Sequence, residues 1–231
     1  MEPAPMRVKL FPWLGRDFVS LSCEGTGEGS VEDETRTLLA RFAQELSAFG
    51  FGLEQVVRTR MFTRDMDTWV AANLARRRVL DGAARSVSSS HIWTGRLGDR
   101  ARVSIDLLAM VPLPGDGPKV MKEYDPPTVV LRRMNWGGLL FLSGVTDMTN
   151  PTFDGQFPVI IQRITDTLAD GGAGWSDVAK ASFLLHHEES LAMLKTRFAE
   201  AVPVAIPQLD YTFVGTRQGK RLEIEVTARL P

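Results

Sequence analysis

Two kinds of hydrophobic pattern follow one another in the first part of the chain. Between Glu32 and Ala48 the apolar residues recur at helical spacing, which predicts an amphipathic helix packed on a sheet. From Val56 to Thr63 the chain is β-branched and partly alternating, as in a strand. Asp65 then offers a side-chain acceptor for the first turn of a second helix. The predicted order is helix, strand, capped helix.

The same order returns in the second part of the chain. GFGLEQVVRTRMFT, which starts at Gly50, is matched by GAGWSDVAKASFLL, which starts at Gly172. The strand endings ARVSIDLLAMVPLP and KRLEIEVTARLP repeat as well. This repetition predicts two domains, residues 1–113 and 127–231, joined by a linker rich in proline, glycine and charge at residues 114–126.

Two further strands are predicted after the second helix of each copy. In the first copy they cover Ser86–Thr94 and Ala101–Val111, and in the second they cover Tyr211–Val214 and Leu222–Ala228. The turn-rich sequence Gly95–Asp99 between the first pair predicts an antiparallel hairpin. The second pair is expected to form a hairpin in the same way.

The stretch from Gly50 to Asn73 resembles, without a gap, the central segment of the YjgF/RidA family. This resemblance implies an α+β fold with two tandem chorismate-mutase-like domains, each a mixed β-sheet with two helices packed on one face. It also implies a homotrimer with ligand pockets between neighbouring domains, and we expect first copies to form one ring and second copies another. The implied activity is deamination of a small imine or enamine by an oriented water, a hydrolysis that requires no metal or organic cofactor.

Composition narrows the class of protein and its surroundings. The chain has 231 residues, 44% apolar and 24% charged, with a net charge of −1, as in an ordinary soluble globular protein, and this balance gives no support to nucleic-acid binding or RNA cleavage. A single cysteine, Cys23, leaves no disulfide framework and no cysteine cluster for zinc. Because there is neither a long apolar run nor a signal-peptide core, we expect a cytoplasmic protein without a membrane partner.

The resemblance directs attention to the strand at Ser86–Thr94 and its counterpart. Family members use an arginine there to bind the substrate carboxylate, because its planar fork makes two parallel hydrogen bonds. The matching positions here hold Ser89 and Gln208, which carry no charge. Arg85, four residues before Ser89, lies in a similar Ala-Arg-Ser context and is the alternative ligand. The substitutions suggest a substrate other than a simple 2-imino acid.

Strand alternation adds further candidates. His91 and Trp93 are predicted on the same strand face as Ser89, and Asp210 on the same face as Gln208. His91 is interpreted either as a group that exchanges protons near neutral pH or as a hydrogen-bonded structural histidine beside Trp93. Asp210 is either a pocket carboxylate or a solvent-facing one.

Asp106 and Glu225 match the acidic position from which family members orient a catalytic water, and Asn73 matches a ligand-binding asparagine. We expect Asn73, His91 and Asp106 to line the more active pocket. His186-His187-Glu188 is interpreted as a surface turn and not a metal site, because adjacent residues at a strand end point in opposite directions. Three hypotheses follow: a hydrolase of imines or enamines, a non-catalytic or regulatory ligand-binding protein, and a divergent enzyme that cyclises or tautomerises a biosynthetic intermediate.

Overall fold

The first domain is one mixed sheet with two helices on one face. The computed structural model describes residues 5–128, 130–215 and 219–231. In the described part of this domain the helices are α1 (Val31–Ser47) and α2 (Met66–Val79), and the strands are β1 (Arg7–Trp13), β2 (Arg16–Glu24), β3 (Val56–Thr63), β4 (Val87–Ile92) and β5 (Val103–Met110). The strand order is β1-β2-β5-β3-β4, with β4 parallel to β3 and the other neighbours antiparallel.

Side-chain caps start both helices at the residues where the pattern changes. The side chain of Ser30 accepts from the backbone N–H of Asp33, whose carboxylate in turn accepts from the backbone N–H of Ser30. Asp65 caps α2 by accepting from the backbone N–H of Thr68 at 2.8 Å. The predicted order of helix, strand and capped helix is therefore confirmed.

The predicted hairpin between β4 and β5 is wrong. Strand β3 lies between them, so that β5 pairs with one side of β3 and β4 with the other. Strand β4 runs parallel to β3 because α2 carries the chain back over the sheet before β4 begins. It is consequently an edge strand, and it meets the second domain.

The second domain repeats this plan. Its described helices are α3 (Phe153–Asp170) and α4 (Leu191–Ala201), and its strands are β6 (Val120–Glu123), β7 (Leu131–Trp136), β8 (Leu139–Leu142), β9 (Val145–Thr146), β10 (Val178–His186), β11 (Gln208–Val214) and β12 (Leu222–Arg229). The order is β11-β10-β12-β8-β7-β6, with β9 paired to β12. Strands β11 and β12 flank β10, so the second predicted hairpin is also wrong. The α+β fold in two copies is confirmed.

The segment predicted as a linker, residues 114–126, contains strand β6, which pairs with β7 at the edge of the second sheet. Lys119, just before β6, donates from Nζ to the carbonyl oxygens of Val56 at 2.6 Å, Ala83 at 3.1 Å and Arg85 at 3.3 Å. The end of this segment is therefore ordered against both domains, and the domain boundary stays a prediction.

Each sheet has one face against its own helices and the other towards the neighbouring domain. A shared core forms between the two helix-free faces, and its buried members are Phe18, Val57, Val87, Met110, Met134, Trp136, Leu139 and Phe141. Burial of each large side chain stabilises the pair of domains by roughly 1.5–3 kcal/mol. The charged groups beside this core are consequently held between two rigid sheets.

None of the described helices is both long enough and apolar enough to cross a membrane.

Candidate functional site

A buried carboxylate lies beside the apolar interdomain core. Glu225, on β12, is 1% exposed. Its Oε1 accepts from Ser89 Oγ at 2.5 Å and from Arg60 Nε at 3.2 Å, its Oε2 accepts from Arg60 Nη2 at 2.5 Å, and Arg58 Nε lies 3.6 Å from Oε2. Burial alone would raise the pKa of Glu225, but the charges of Arg60 and Arg58 and the hydrogen bonds from Arg60 and Ser89 lower it to about 2. Both domains thus contribute to one ionised cluster.

A cavity of about 720 Å³ lies on one side of this cluster, between the domains. We call it the serine cavity, because Ser88, Ser89 and Ser90 of β4 line its first-domain wall, together with Trp69 and Asn73 of α2. The charged and phenolic side chains of its second-domain wall are Tyr124, Asp125, Arg132, Arg163, Asp166, Lys220 and Glu223. Its size suits a small metabolite.

Arg76 organises the first-domain wall from behind. Its Nη2 donates to Asn73 Oδ1 at 2.7 Å and Ser90 Oγ at 3.1 Å, and its Nη1 donates to the carbonyl oxygen of Ser89 at 3.2 Å and to Thr59 Oγ1 at 3.4 Å. Burial lowers the pKa of Arg76 to about 10. These recorded acceptors are neutral oxygen atoms, so the guanidinium adds positive potential behind the cavity.

The second-domain wall contains a nearly buried ion pair between Lys220 and Glu223. A Cβ atom added at Gly144 would lie 1.5 Å from Glu223 Oε1, so only glycine lets the carboxylate rest against this turn. The backbone N–H of Gly144 also donates to the carbonyl oxygen of Ser88 at 3.2 Å. The turn therefore positions the carboxylate and joins the two domains.

Two further cations of the second domain line the same cavity. Arg132 Nε donates to Thr167 Oγ1 at 3.2 Å. Arg163 donates to the carbonyl oxygen of Thr146 at 2.5 Å, and its side chain is 47% exposed. Burial raises the pKa of Tyr124, against the lowering effect of the two arginines, so its phenol stays neutral and can donate a hydrogen bond. The charged lining of this wall is mixed: three cations, Arg132, Arg163 and Lys220, stand with three carboxylates, Asp125, Asp166 and Glu223.

A second cavity of about 630 Å³ adjoins the arginine side of the cluster. We call it the arginine cavity; its charged lining residues are Arg7, Lys9, Arg58, Arg60, Arg96, Asp106 and Lys180. Asp106 accepts from Ser22 Oγ at 2.7 Å and from Arg96 Nη2 at 2.9 Å. Gln208 lines this cavity and donates to Asp210 at 3.4 Å, while Asp210 forms an ion pair with Lys180.

Some residues predicted from sequence line the serine cavity, others line the arginine cavity, and others line neither. Asn73 and Ser89 line the serine cavity, and Asp106 lines the arginine cavity. His91 is 1% exposed and is not among the residues lining either cavity. The structure therefore does not bring Asn73, His91 and Asp106 into one pocket.

The surroundings of His91 explain its separation from both cavities. Neither ring nitrogen has a hydrogen-bond partner among the described residues, and the ring lies 5.6 Å from that of Phe62, centroid to centroid. Burial, together with the charges of Lys220, Arg60 and Arg76, lowers the pKa of His91 well below its ordinary value. The imidazole is therefore neutral at physiological pH.

Two other predicted residues make structural contacts. Arg85 forms a two-pronged ion pair with Glu123 of β6, one arm of which measures 3.2 Å. Trp93 packs on His187 with 5.7 Å between ring centroids. Among the described residues, no group of three or more histidine, cysteine, aspartate or glutamate side chains is placed to hold a metal ion.

Sequence reasoning missed the second-domain wall of the serine cavity. Alternation in LEIEV places Glu223 on the same strand face as Glu225, and this signal could have identified it. No comparable signal distinguishes Arg132 or Arg163 from other arginines, because their approach to β4 depends on how the two domains pack.

Comparisons with known proteins agree with this architecture. The endoribonuclease L-PSP family model matches residues 20–111, from β2 to the end of β5. A RutC family protein of Synechocystis sp. is 33% identical over 86 residues, which are 37% of this chain and 65%, less than two thirds, of that protein. The first domain is thus similar in sequence to the endoribonuclease L-PSP and RutC family proteins.

Solved structures extend the comparison beyond the first domain. A chorismatase crystal structure matches 96% of this chain and 79% of its own with a TM-score of 0.64 at 16% identity, a likeness of fold that covers both domains. A YjgF/YER057c/UK114 family member from Mycobacterium tuberculosis covers 48% of this chain and 99% of its own, with a TM-score of 0.44 at 19% identity. The fold of the chorismatase thus extends over both domains of this chain.

The contact between Ser89 and Glu225 joins two positions at which the YjgF/RidA resemblance predicts functional residues. Ser89 occupies the position expected for the family's arginine, and Glu225 the position expected for its acidic residue. The structure joins them by a 2.5 Å hydrogen bond across the two domains. The cations that face the serine cavity come instead from the second domain.

Proposed function

We propose that this protein is a hydrolase of small, anionic, reactive imines or enamines and that the serine cavity is its active site. The observation that carries the proposal is the set of three cationic side chains, Arg132, Arg163 and Lys220, in the same cavity as Ser89. They replace the charge that is lost at position 89. Glu223 supplies a carboxylate in the same cavity.

The positions of the guanidinium groups support an anionic substrate. Arg163 is paired with Asp147 at 3.3 Å, and nearly half of its side chain is exposed, which leaves part of its guanidinium accessible to a ligand. Arg76 lies behind the opposite wall and donates to neutral oxygen atoms of Ser89 and Asn73. In a site of low dielectric its charge attracts an anion more strongly than it would in water. A substrate carboxylate would lie near the arginines, facing the wall that Asn73 and the β4 serines form.

Glu223 is the group that we assign to water activation. In the proposed reaction it accepts a proton as water adds to the imine carbon and passes that proton to nitrogen, which gives a carbinolamine. It then accepts the proton of the carbinolamine hydroxyl and passes it to nitrogen, so that the carbonyl forms as the C–N bond breaks and ammonia leaves. An enamine would first take a proton at carbon to become the imine. Lys220 forms an ion pair with Glu223 in this cavity and holds its carboxylate in place.

Glu225 takes a different part in this proposal. Its oxygen atoms are committed to Arg58, Arg60 and Ser89, and its pKa of about 2 makes it a weak base. It would hold Ser89 and the edge of β4 in place. The water-orienting role expected for Asp106 or Glu225 is thus proposed for Glu223.

The test is turnover of imines freshly generated by an amino-acid oxidase from neutral and acidic amino acids, followed by loss of the semicarbazide-trapped product. We expect the protein to accelerate this loss, most strongly for acidic imines. Glu223→Gln should lower the rate by about two orders of magnitude, the usual range for loss of a general base. Glu200→Gln, on an exposed glutamate of α4, is the matched control. No acceleration on any imine, or an unimpaired Glu223→Gln variant, would refute the proposal.

The ion pair between Lys220 and Glu223 also favours a second candidate function, a binding protein. Both side chains are nearly buried and partner each other, as expected of a structural element that shapes a ligand pocket without reacting. Retained binding of small carboxylates by calorimetry, without turnover of any imine, would favour this function.

A further inference from the structure

The arginine cavity has more positive charge than its carboxylates can balance. Six of its lining side chains are cationic, namely Arg7, Lys9, Arg58, Arg60, Arg96 and Lys180. The carboxylates recorded as partners of this set are Asp106, Glu225 and Asp210. Three positive charges of the described lining are consequently left without a carboxylate partner of their own.

Part of this excess charge is buried. Arg58 and Arg60 share the single carboxylate of Glu225. Arg58 is 7% exposed, its Nη2 donates to the carbonyl oxygen of Val226 at 3.0 Å and to Thr227 Oγ1 at 3.1 Å, and its Nε has no hydrogen-bond acceptor among the described residues. Such a site is unfavourable unless an anion nearby compensates the second guanidinium.

We propose that the arginine cavity binds a compact dianion, a phosphate group or a dicarboxylate, beside Arg58 and Arg60. Guanidinium groups recognise both kinds of anion by paired hydrogen bonds. Arg7 and Lys9 lie on edge strand β1 at the cavity, where they can approach an anion from the solvent side. Phe11 and Trp13 also line the cavity and offer an apolar surface to an organic part of the ligand.

This site is distinct from the proposed active site. Glu225 and its hydrogen-bond partners lie between the two cavities, with Arg58 and Arg60 on one side and Ser89 on the other. Neither Lys220 nor Glu223 lines the arginine cavity. A measurement of dianion binding therefore tests this site independently of imine turnover.

Calorimetric titration of the full chain with inorganic phosphate and, separately, with malonate tests the proposal. We expect binding that weakens as sodium chloride rises, because the contacts are ionic. The double variant Arg7→Gln/Lys9→Gln, on an exposed strand, should weaken binding about five-fold or more, and Arg58→Gln should weaken it further. Arg36→Gln, on the exposed face of α1, is the matched control. Preference for phosphate or malonate identifies the kind of dianion.

Three results would overturn the proposal. One is the absence of heat from either anion. Another is equal binding by the wild type, the double variant and Arg58→Gln. The third is loss of binding in Lys220→Met, which would place the anion in the serine cavity. Imine turnover by the double variant should equal that of the wild type, so failure of one proposal is distinguishable from failure of the other.

Discussion

At the scale of single residues, the functional interpretation depends on which carboxylate is free to react. Glu225 is held by two arginines and a serine, whereas Glu223 lies in the serine cavity with one lysine. Two neighbouring positions on one strand face therefore have different surroundings. Their separate substitution distinguishes a structural carboxylate from a catalytic one.

Glu225→Gln should destabilise the protein by about 3 kcal/mol at neutral pH, because it leaves buried guanidinium groups without their anion. The folded-state pKa of Glu225, about 2, lies below its ordinary value, so its contribution is fully present above about pH 4.5 and is lost as pH falls towards 2. The difference in unfolding free energy between wild type and variant should therefore shrink in that window. Urea unfolding followed by circular dichroism at pH 7 and pH 3 measures it. An equal difference at both pH values would contradict the assignment.

Gly144→Ala should abolish turnover more completely than it affects stability. The added Cβ would meet the Glu223 carboxylate and displace it from the cavity, with a stability cost of about 1–3 kcal/mol for overpacking. Gly117→Ala is the matched control, because a Cβ there has no neighbour within 4 Å. Rates and urea midpoints of both variants give the comparison. Full activity in Gly144→Ala would contradict the placement of Glu223.

At the scale of elements, local patterns predicted which segments are strands and helices but not all of their partners. The caps at Ser30 and Asp65 and the extent of β3 follow from local chemistry. The parallel pairing of β4 with β3 does not follow from local chemistry. The same residues would form strands whether β4 and β5 made a hairpin or β3 lay between them. Strand β6 was missed because the proline and glycine residues before Val120–Glu123 and the prolines after it resemble a linker.

Lys119→Met should destabilise the contact between the segment before β6 and the first domain. The substitution keeps the aliphatic stem but removes bonds to three backbone carbonyl oxygens, at a cost of about 1–3 kcal/mol. Lys122→Met, on an exposed lysine of β6, is the control. Amide hydrogen exchange should show faster exchange at β6 and β7 in the first variant alone. Unchanged exchange there would show that Lys119 contributes little.

At the scale of the whole molecule, one chain already pairs two domains through the helix-free faces of their sheets. The candidate site could be predicted from sequence only in part. Ser89 and Asn73 were identified by resemblance, whereas Arg132, Arg163 and Lys220 reach the cavity only because of this domain packing. The homotrimer in two rings stays a prediction, which sedimentation of the full chain can test.

Phe141→Ala should weaken the coupling between the domains. Phe141 is fully buried in the shared core, so its truncation should cost about 3–5 kcal/mol and lower the urea midpoint. Phe213→Ala, at a phenylalanine that is 43% exposed, should cost much less. Similar costs for the two variants would mean that the domains do not depend on this core.

The most direct test of the central claim is the rate at which the wild-type protein and its Glu223→Gln variant remove an acidic imine, with Glu200→Gln measured alongside. We expect the wild type and Glu200→Gln to accelerate the reaction equally and Glu223→Gln to lose most of the acceleration while remaining folded. Equal rates for all three proteins, or no acceleration by any of them, would contradict hydrolysis in the serine cavity.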